Sequence, residues 1–317
     1  MRGAVKLGVW AALVLSGTAT AEKAGKWTTS EKDGRFEANY NGSMMLGWQA
    51  TPLAKPVGGE KFAGSAFLHP LRTPGGFEWT TVQPDDHKHH FGLWWPWKFI
   101  EVDGAKYNCW EIQEGQGAHV ARNVIPLMTV PGNSLQWGFL NETVIKKPGA
   151  APVTAIHERS QVAVSVREDA QVLDISIRQK AAGAPVKIVE YRYSGFSWRG
   201  PASWNKDNST MTTSAGKGRE NANGTTARWV MVNGPTPDGS ATVLMMSAAE
   251  TPEKLRVWDH TAHNGAPFVN FNPVMDKPLP LDDAHPQVSK RKYRVIAADH
   301  TITAAEAEAE WRKWMGK

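Results

Sequence analysis

Three of the ten histidines fall within four positions, in the stretch Pro84-Asp85-Asp86-His87-Lys88-His89-His90-Phe91-Gly92-Leu93-Trp94-Trp95-Pro96-Trp97. Imidazole is the side chain best suited to ligate a metal or to move a proton near neutral pH. A neighbouring carboxylate such as Asp86 can orient an imidazole and raise its basicity. Indoles offer flat faces to sugar rings and other large ligands. If the chain has an active site, its residues are to be expected here.

The spacing admits two chemistries. Read as a strand, the segment puts His87 and His89 on one face and His90 on the other, with Lys88. Trp95 and Trp97 then share the face of His87 and His89, as a floor for a sugar. Two imidazoles on one face could hold a divalent metal with a third ligand from His119, His260, His263, Asp86 or Glu111, leaving one position open. The metal-free alternative uses one histidine as general acid or base with a carboxylate or tyrosine as partner. Spacing does not separate the two, so whether a divalent metal is the cofactor stays open.

The positioning elements read mainly as strands. Val162, Val164 and Val166 alternate with polar residues, Glu168-Asp169-Ala170 offers a turn, and Leu173, Ile175 and Ile177 alternate again. This is the pattern of an antiparallel hairpin with one buried and one wet face. Further strands are expected at 186–193, 228–232, 241–247, 255–259 and 293–298, separated by Gly, Pro, Asn and Asp clusters. One helix is expected over 304–315, with Thr303 and Glu306 as a capping box and Gly316 as its end. Trp311 and Trp314, three apart, pin it to the body. Many short strands and one terminal helix indicate an all-β antiparallel sandwich in a single domain, residues 22–317.

Residues 1–21 read as a signal peptide: Arg2 and Lys6, then the apolar run 7–15, then Ala19-Thr20-Ala21 before the cleavage point. The apolar run is too short to span a bilayer, and no later segment approaches spanning length. A periplasmic or secreted protein follows. The formal charge of +5 is mild and no Lys/Arg block exists, so nucleic acid is not an expected partner. The single cysteine, Cys109, cannot form an internal disulfide and reads as a small buried hydrophobe. Fifteen tryptophans against five tyrosines, in an exported chain, lean towards proteins that handle glycans. The chain has no nucleophile elbow, no Walker loop and no dinucleotide-binding glycine pattern.

Residues Asp86 to Trp94 resemble the "DHPHHRGLW" signature of an exported family of unknown function usually labelled "methane oxygenase PmoA". Leu71-Arg72-Thr73-Pro74-Gly75-Gly76 upstream, Asp103-Gly104 followed by Trp110, Tyr193-Ser194-Gly195-Phe196-Ser197-Trp198-Arg199, Arg228-Trp229 and Tyr293-Arg294 match further segments in the family's order. The resemblance covers roughly residue 60 to the C-terminus. Lys88 stands in place of the usual Pro and Phe91 in place of the usual Arg, so the ligand of this member can differ. The label itself conflicts with the sequence, because a membrane-embedded oxygenase subunit needs spanning helices. The resemblance implies export and glycan chemistry, and by analogy a galactose-mutarotase-like supersandwich. Within its segments Arg72 and Arg199 are candidates to orient a substrate carboxylate, such as that of a uronic acid. Tyr193 is a candidate proton donor.

The sequence thus leads to an exported carbohydrate-active enzyme, a hydrolase, lyase or epimerase. His87, His89, His90 and Tyr193 would be catalytic, and Arg72, Asp86, Trp95, Trp97 and Arg199 would bind substrate. The competing class is a non-catalytic glycan-binding module with a Trp platform. An enzyme requires a concave pocket enclosing several imidazoles; a binder requires flat exposed indoles over packed histidines.

Overall fold

A computed structural model describes residues 25–130, 134–250, 252–258 and 262–317. The expected leader, 1–21, lies outside them, as do Asp259 and His260. The architecture is all-β and antiparallel, as the alternating pattern requires. Among the described residues the strands form two eight-stranded sheets and one of four strands. The first sheet runs in the order Trp27–Lys32, Arg35–Tyr40, Ser43–Gln49, Phe67–Leu71, Leu93–Trp94, Phe196–Arg199, Phe268–Asn272, Lys254–Val257. The second runs Thr210–Thr213, Trp229–Thr236, Gly239–Ser247, Lys290–Ala298, Ala170–Ala181, Val153–Arg167, Ser134–Ile145, Gly117–Val130. The small sheet holds Phe99–Val102 and Ala105–Asn108 with Val186–Ile188 and Leu279–Pro280. No helix of the described residues is long and apolar enough to cross a membrane.

The expected hairpin forms, with Val162 opposite Ile175 and Val164 opposite Leu173. Its turn uses Glu168 at φ 48°. The inward residues of the two large sheets make one core. Trp48 stacks on Phe139 with ring centroids 4.0 Å apart, and Phe196 stacks on Tyr293 at the same distance, each pair spanning the two sheets. Such aromatic pairs contribute roughly 0.5–1.5 kcal/mol beyond their area burial. The helix Ala304–Met315 has the expected capping box, and Gly316 closes it in the left-handed conformation. It covers the other side of the second sheet, where Val172, Leu244 and Ile296 pack with Ala307 and Trp311. The Trp311 indole donates to Ser247 O. Of the strand expected over 186–193, only Val186–Ile188 pairs. Tyr191 and Tyr193 lie beyond it, in the segment leading to Phe196–Arg199.

One buried carboxylate organises the interior. Glu158, 3% exposed, accepts from Trp95 Nε1 at 2.8 Å, Asn141 Nδ2 at 2.8 Å, Ser160 Oγ at 2.5 Å and Gln179 Nε2 at 2.6 Å. His119 Nε2 stands 3.3 Å from its second oxygen. Gln179 passes the network on by accepting from Trp97 Nε1 at 2.9 Å. Burial alone would raise the carboxyl's pKa. His119 and the donors overcome that and hold it well below the usual carboxylate range. A buried charge is tolerable only when its lone pairs are satisfied in this way.

Two outcomes follow. Glu158→Ala strands four donors in the core and is expected to lower stability by about 3–5 kcal/mol, read as a lower midpoint in urea unfolding. His69, on Phe67–Leu71, is held neutral by burial, with smaller effects from Arg35 and Arg72, and its pKa is lowered from 6.5 to about 4. A depressed imidazole stabilises the fold fully above its unfolded value, and that contribution is lost as pH falls from about 6.5 towards 4. Urea midpoints measured across that window should fall with pH in the wild type and fall less steeply in His69→Gln.

Candidate functional site

The histidine segment is a double turn, not a strand. His87 N donates to Pro84 O at 3.1 Å and His90 N to His87 O at 3.0 Å. Gln83 N closes the base onto His90 O at 2.8 Å. Gln83 is itself fixed, its side chain bonding Phe62 O and Val57 N. Pro84, Asp85 and Asp86 are turn formers, which is why this composition folds tightly here. The consequence is convergence. Ring centroids are 4.5 Å apart for His87 and His90, 5.1 Å for His89 and His90, and 5.4 Å for His87 and His89. The expectation that His90 faces away from His87 and His89 is therefore corrected.

The shared face of His87, His89, Trp95 and Trp97 is corrected for the same reason. Two turns and Gly92 at φ 65° break the two-residue alternation between His90 and Leu93. A Cβ at Gly92 would lie 2.6 Å from Leu68 O, so the close pass and the left-handed backbone both require glycine there. Extended chain resumes with Trp95 and Trp97 facing inward, 0% exposed, on Glu158 and Gln179. Of the three indoles in this segment, the one beside the imidazoles is that of Trp94, 5.1 Å from His90.

Neighbouring elements complete a concave cavity of about 150 Å³. The strand order brings Leu93–Trp94, Phe196–Arg199, Phe268–Asn272 and Lys254–Val257 side by side, so segments at their ends meet over the turn. Trp258 and His263 come from the end of Lys254–Val257 and the loop after it. Glu111 and Trp110 follow Ala105–Asn108 of the small sheet. Tyr193 and Arg192 precede Phe196–Arg199. All of these line the cavity with His87, His89 and His90. His263 sits 4.7 Å from His87, ring to ring, and Arg219 pins its loop by donating to Gly265 O. A larger groove of about 410 Å³ beside Trp314 is lined by Gln136, Arg159 and Asp174 but by no histidine.

Two carboxylates anchor the site. Asp86 accepts from Arg199 Nη2 at 3.0 and 2.9 Å, and its Oδ2 lies 3.4 Å from His87 Nδ1 and 3.3 Å from His263 Nδ1. Arg199 stacks on Trp258, 4.4 Å from the ring centroid. Glu111 accepts from Tyr193 Oη and from Lys98 Nζ, with Lys98 buried. Burial pushes both carboxyls up, but the Arg199 pair for Asp86 and the Lys98 and Tyr193 bonds for Glu111 outweigh it, leaving both below their ordinary values. Tyr193 is raised, first by burial and then by Glu111, and stays protonated. Burial lowers His87 to about 4, lowers His89, and drives the enclosed His90 well below 6.5. The turn thus presents three neutral imidazoles at neutral pH.

The placement of the sequence candidates is uneven. His87, His89, His90 and Tyr193 come together, with Asp86 behind them. Arg72 pairs with Glu78 at 3.0 Å and does not line the cavity. Arg199 pairs with Asp86 through Nη2, while its Nη1 is buried without a partner among the described residues. Arg192 and Arg256 line the cavity instead, and Arg256 also donates to Asn223 Oδ1 at 3.1 Å. Neither stands in a suggestive local pattern. Of the proposed third ligands, Glu111 and His263 reach the site, whereas His119 turns inward to Glu158. His260 lies outside the described residues. Trp258 and Phe268 went unnoticed, since an aromatic at a strand end has no distinguishing sequence context.

Comparison with known proteins places the chain as follows. The GH36 α-galactosidase AgaB from Geobacillus stearothermophilus is similar over 87% of this chain and 38% of its own, at 9% identity and a TM-score of 0.39. The related AgaA, solved in complex with raffinose, gives 86% and 40%, 9% identity and 0.38. This chain therefore spans about two fifths of the length of those enzymes. A candidate aldose 1-epimerase from Escherichia coli K12 is covered over 99% of its length at 10% identity and a TM-score of 0.28. Such scores decide nothing about chemistry. No curated protein sequence matches the chain. A family model does match, over residues 36–312, and by it the chain belongs to the family of unknown function DUF6807.

Proposed function

We propose that this protein is an exported enzyme that performs acid–base chemistry on a sugar, by epimerisation or β-elimination. The observation that carries the reading is the convergence of His87, His89, His90 and His263 with Glu111 and Tyr193 in one concave pocket. A structural role for the histidines alone would scatter them or bury them in the core. A Trp-platform binder would leave indoles flat and exposed, but Trp94, Trp95 and Trp97 are all buried. The cavity is below the roughly 300 Å³ common for drug-sized ligands, which suits a single sugar unit. Trp110 and Trp258 give it aromatic walls, and the remaining lining is dense in hydrogen-bonding groups.

The roles follow from protonation state. His89, neutral and half-buried, accepts or returns the substrate proton. Tyr193 stays protonated and donates a hydrogen bond to the oxyanion that develops when a proton leaves carbon. Glu111, held by Lys98, fixes the phenol. Arg192 and Arg256 supply positive charge for a sugar carboxylate, so a uronic acid fits better than a neutral hexose. Glycoside hydrolysis ordinarily uses two carboxylates flanking the bond. Glu111 is the one carboxylate among the lining residues, because Asp86 is engaged by Arg199. Export rests on the leader pattern. The likeness to the family labelled "methane oxygenase PmoA" is read as one of descent, not of oxygenase activity.

The test is a screen of oligosaccharides and uronates in deuterated buffer. Turnover is expected, with deuterium at a sugar carbon for epimerisation, or an unsaturated sugar and a released, protonated leaving group for β-elimination. His89→Ala and Tyr193→Phe should lower kcat/KM by about 10²–10⁴-fold, while His157→Ala, at an exposed position, changes nothing. Full activity in both site variants would remove the basis of the assignment.

A further inference from the structure

We infer that His87, His89 and His90 form a three-imidazole site for one divalent first-row transition metal, zinc being the representative probe. The inference rests on the reading of this pocket as an active site but gives His89 the role of a ligand in place of that of the free base, and it does not require that a sugar be turned over. Each of the three rings offers a nitrogen, and these nitrogens lie within 4.8 Å of one another. A tetrahedral zinc with bonds of about 2.0–2.1 Å needs its ligand nitrogens about 3.3–3.4 Å apart. Binding would require the half-buried His87 and His89 rings to rotate so as to close that gap.

Polar satisfaction points the same way. His90 is 3% exposed, and its Nδ1 has no hydrogen-bond partner among the described residues. His87 Nδ1 faces Asp86 Oδ2 at 3.4 Å, which leaves its Nε2 as the nitrogen for a ligand. Leaving buried polar atoms unpaired costs free energy, and native structures rarely do so without a ligand or a role. The His89 ring meets the other two edge-on, while His87 and His90 stack on each other. Imidazole donors suit zinc, copper, iron and nickel and do not suit calcium or magnesium.

The surroundings resemble those of a supported metal centre. Asp86, fixed by Arg199, stands beside His87 and His263 in the way that carboxylates orient metal-bound imidazoles. Of the cations around the pocket, Lys98 and Arg199 are paired with Glu111 and Asp86, and Arg192 and Arg256 also line it. Three protein ligands from one turn would leave a coordination position towards the cavity, the arrangement of catalytic rather than structural sites.

The experiment uses full-length protein stripped with a chelator and titrated calorimetrically with zinc, then with cobalt while its visible absorption is recorded. One equivalent per chain is expected, with a cobalt spectrum of tetrahedral or five-coordinate type. His89→Ala should weaken binding by at least about 100-fold, with an unchanged circular dichroism melt, and His157→Ala should bind as the wild type does. His90→Ala risks unfolding, so His87→Ala serves as the second site variant. No binding by the wild type at millimolar zinc, or equal binding by His89→Ala and His87→Ala, overturns the inference. Sugar turnover by a protein that binds no zinc would overturn the metal site and leave the acid–base reading standing. Zinc lost with His89 but no sugar turned over would do the reverse.

Discussion

The buried charge of Glu158 is the constraint on which the rest hangs. A carboxylate between two sheets is stable only if donors surround it, and the donors recruited here include Trp95 directly and Trp97 through Gln179. Those two indoles lie in the extended stretch that leaves the histidine turn. Fixing them in the interior fixes the exit of that turn, while Gln83 fixes its entry. The turn that carries the imidazoles is therefore held from the interior at its entry and its exit.

The same arrangement explains why the imidazoles of the turn are neutral. Trp94, Trp110, Trp258 and Phe268 pack around His90. In that apolar shell a protonated imidazole loses its solvation, so the neutral form prevails. The two carboxylates keep their charge because each owns a cation: Arg199 for Asp86 and Lys98 for Glu111. Neutral bases, a protonated phenol and pinned carboxylates within one small cavity are a combination that structural packing alone does not call for.

Two expectations failed together, and the failure is instructive. Counting residues in steps of two from His87 to Trp97 assumes unbroken extended chain. Pro84, Asp85 and Asp86 are ordinary signals of a turn, and Gly92 is the ordinary signal of a left-handed residue. Given their weight, those residues mark the count as unsafe. The arginines failed differently. Arg72 and Arg199 stand in the segments that carry the family likeness, yet both neutralise carboxylates of the fold. Salt-bridge partners distant in sequence, such as Asp86 and Arg199, leave no local trace.

Local chemistry determined a good deal without any fold. Alternation of apolar and polar residues set the 153–181 hairpin, because a strand half-buried in a sheet needs a two-residue period. Thr303, Glu306 and Gly316 set both ends of the final helix, because capping is satisfied within a few residues. The density of imidazole marked the site. What only the tertiary structure decided is which groups meet there. Glu111, Tyr193 and the Trp258–His263 stretch arrive from three separate segments, brought together by a strand order that pairs Leu93–Trp94 with Phe196–Arg199 and that with Phe268–Asn272. Pairing across a hundred residues depends on the whole core closing at once, and no window of sequence contains that information.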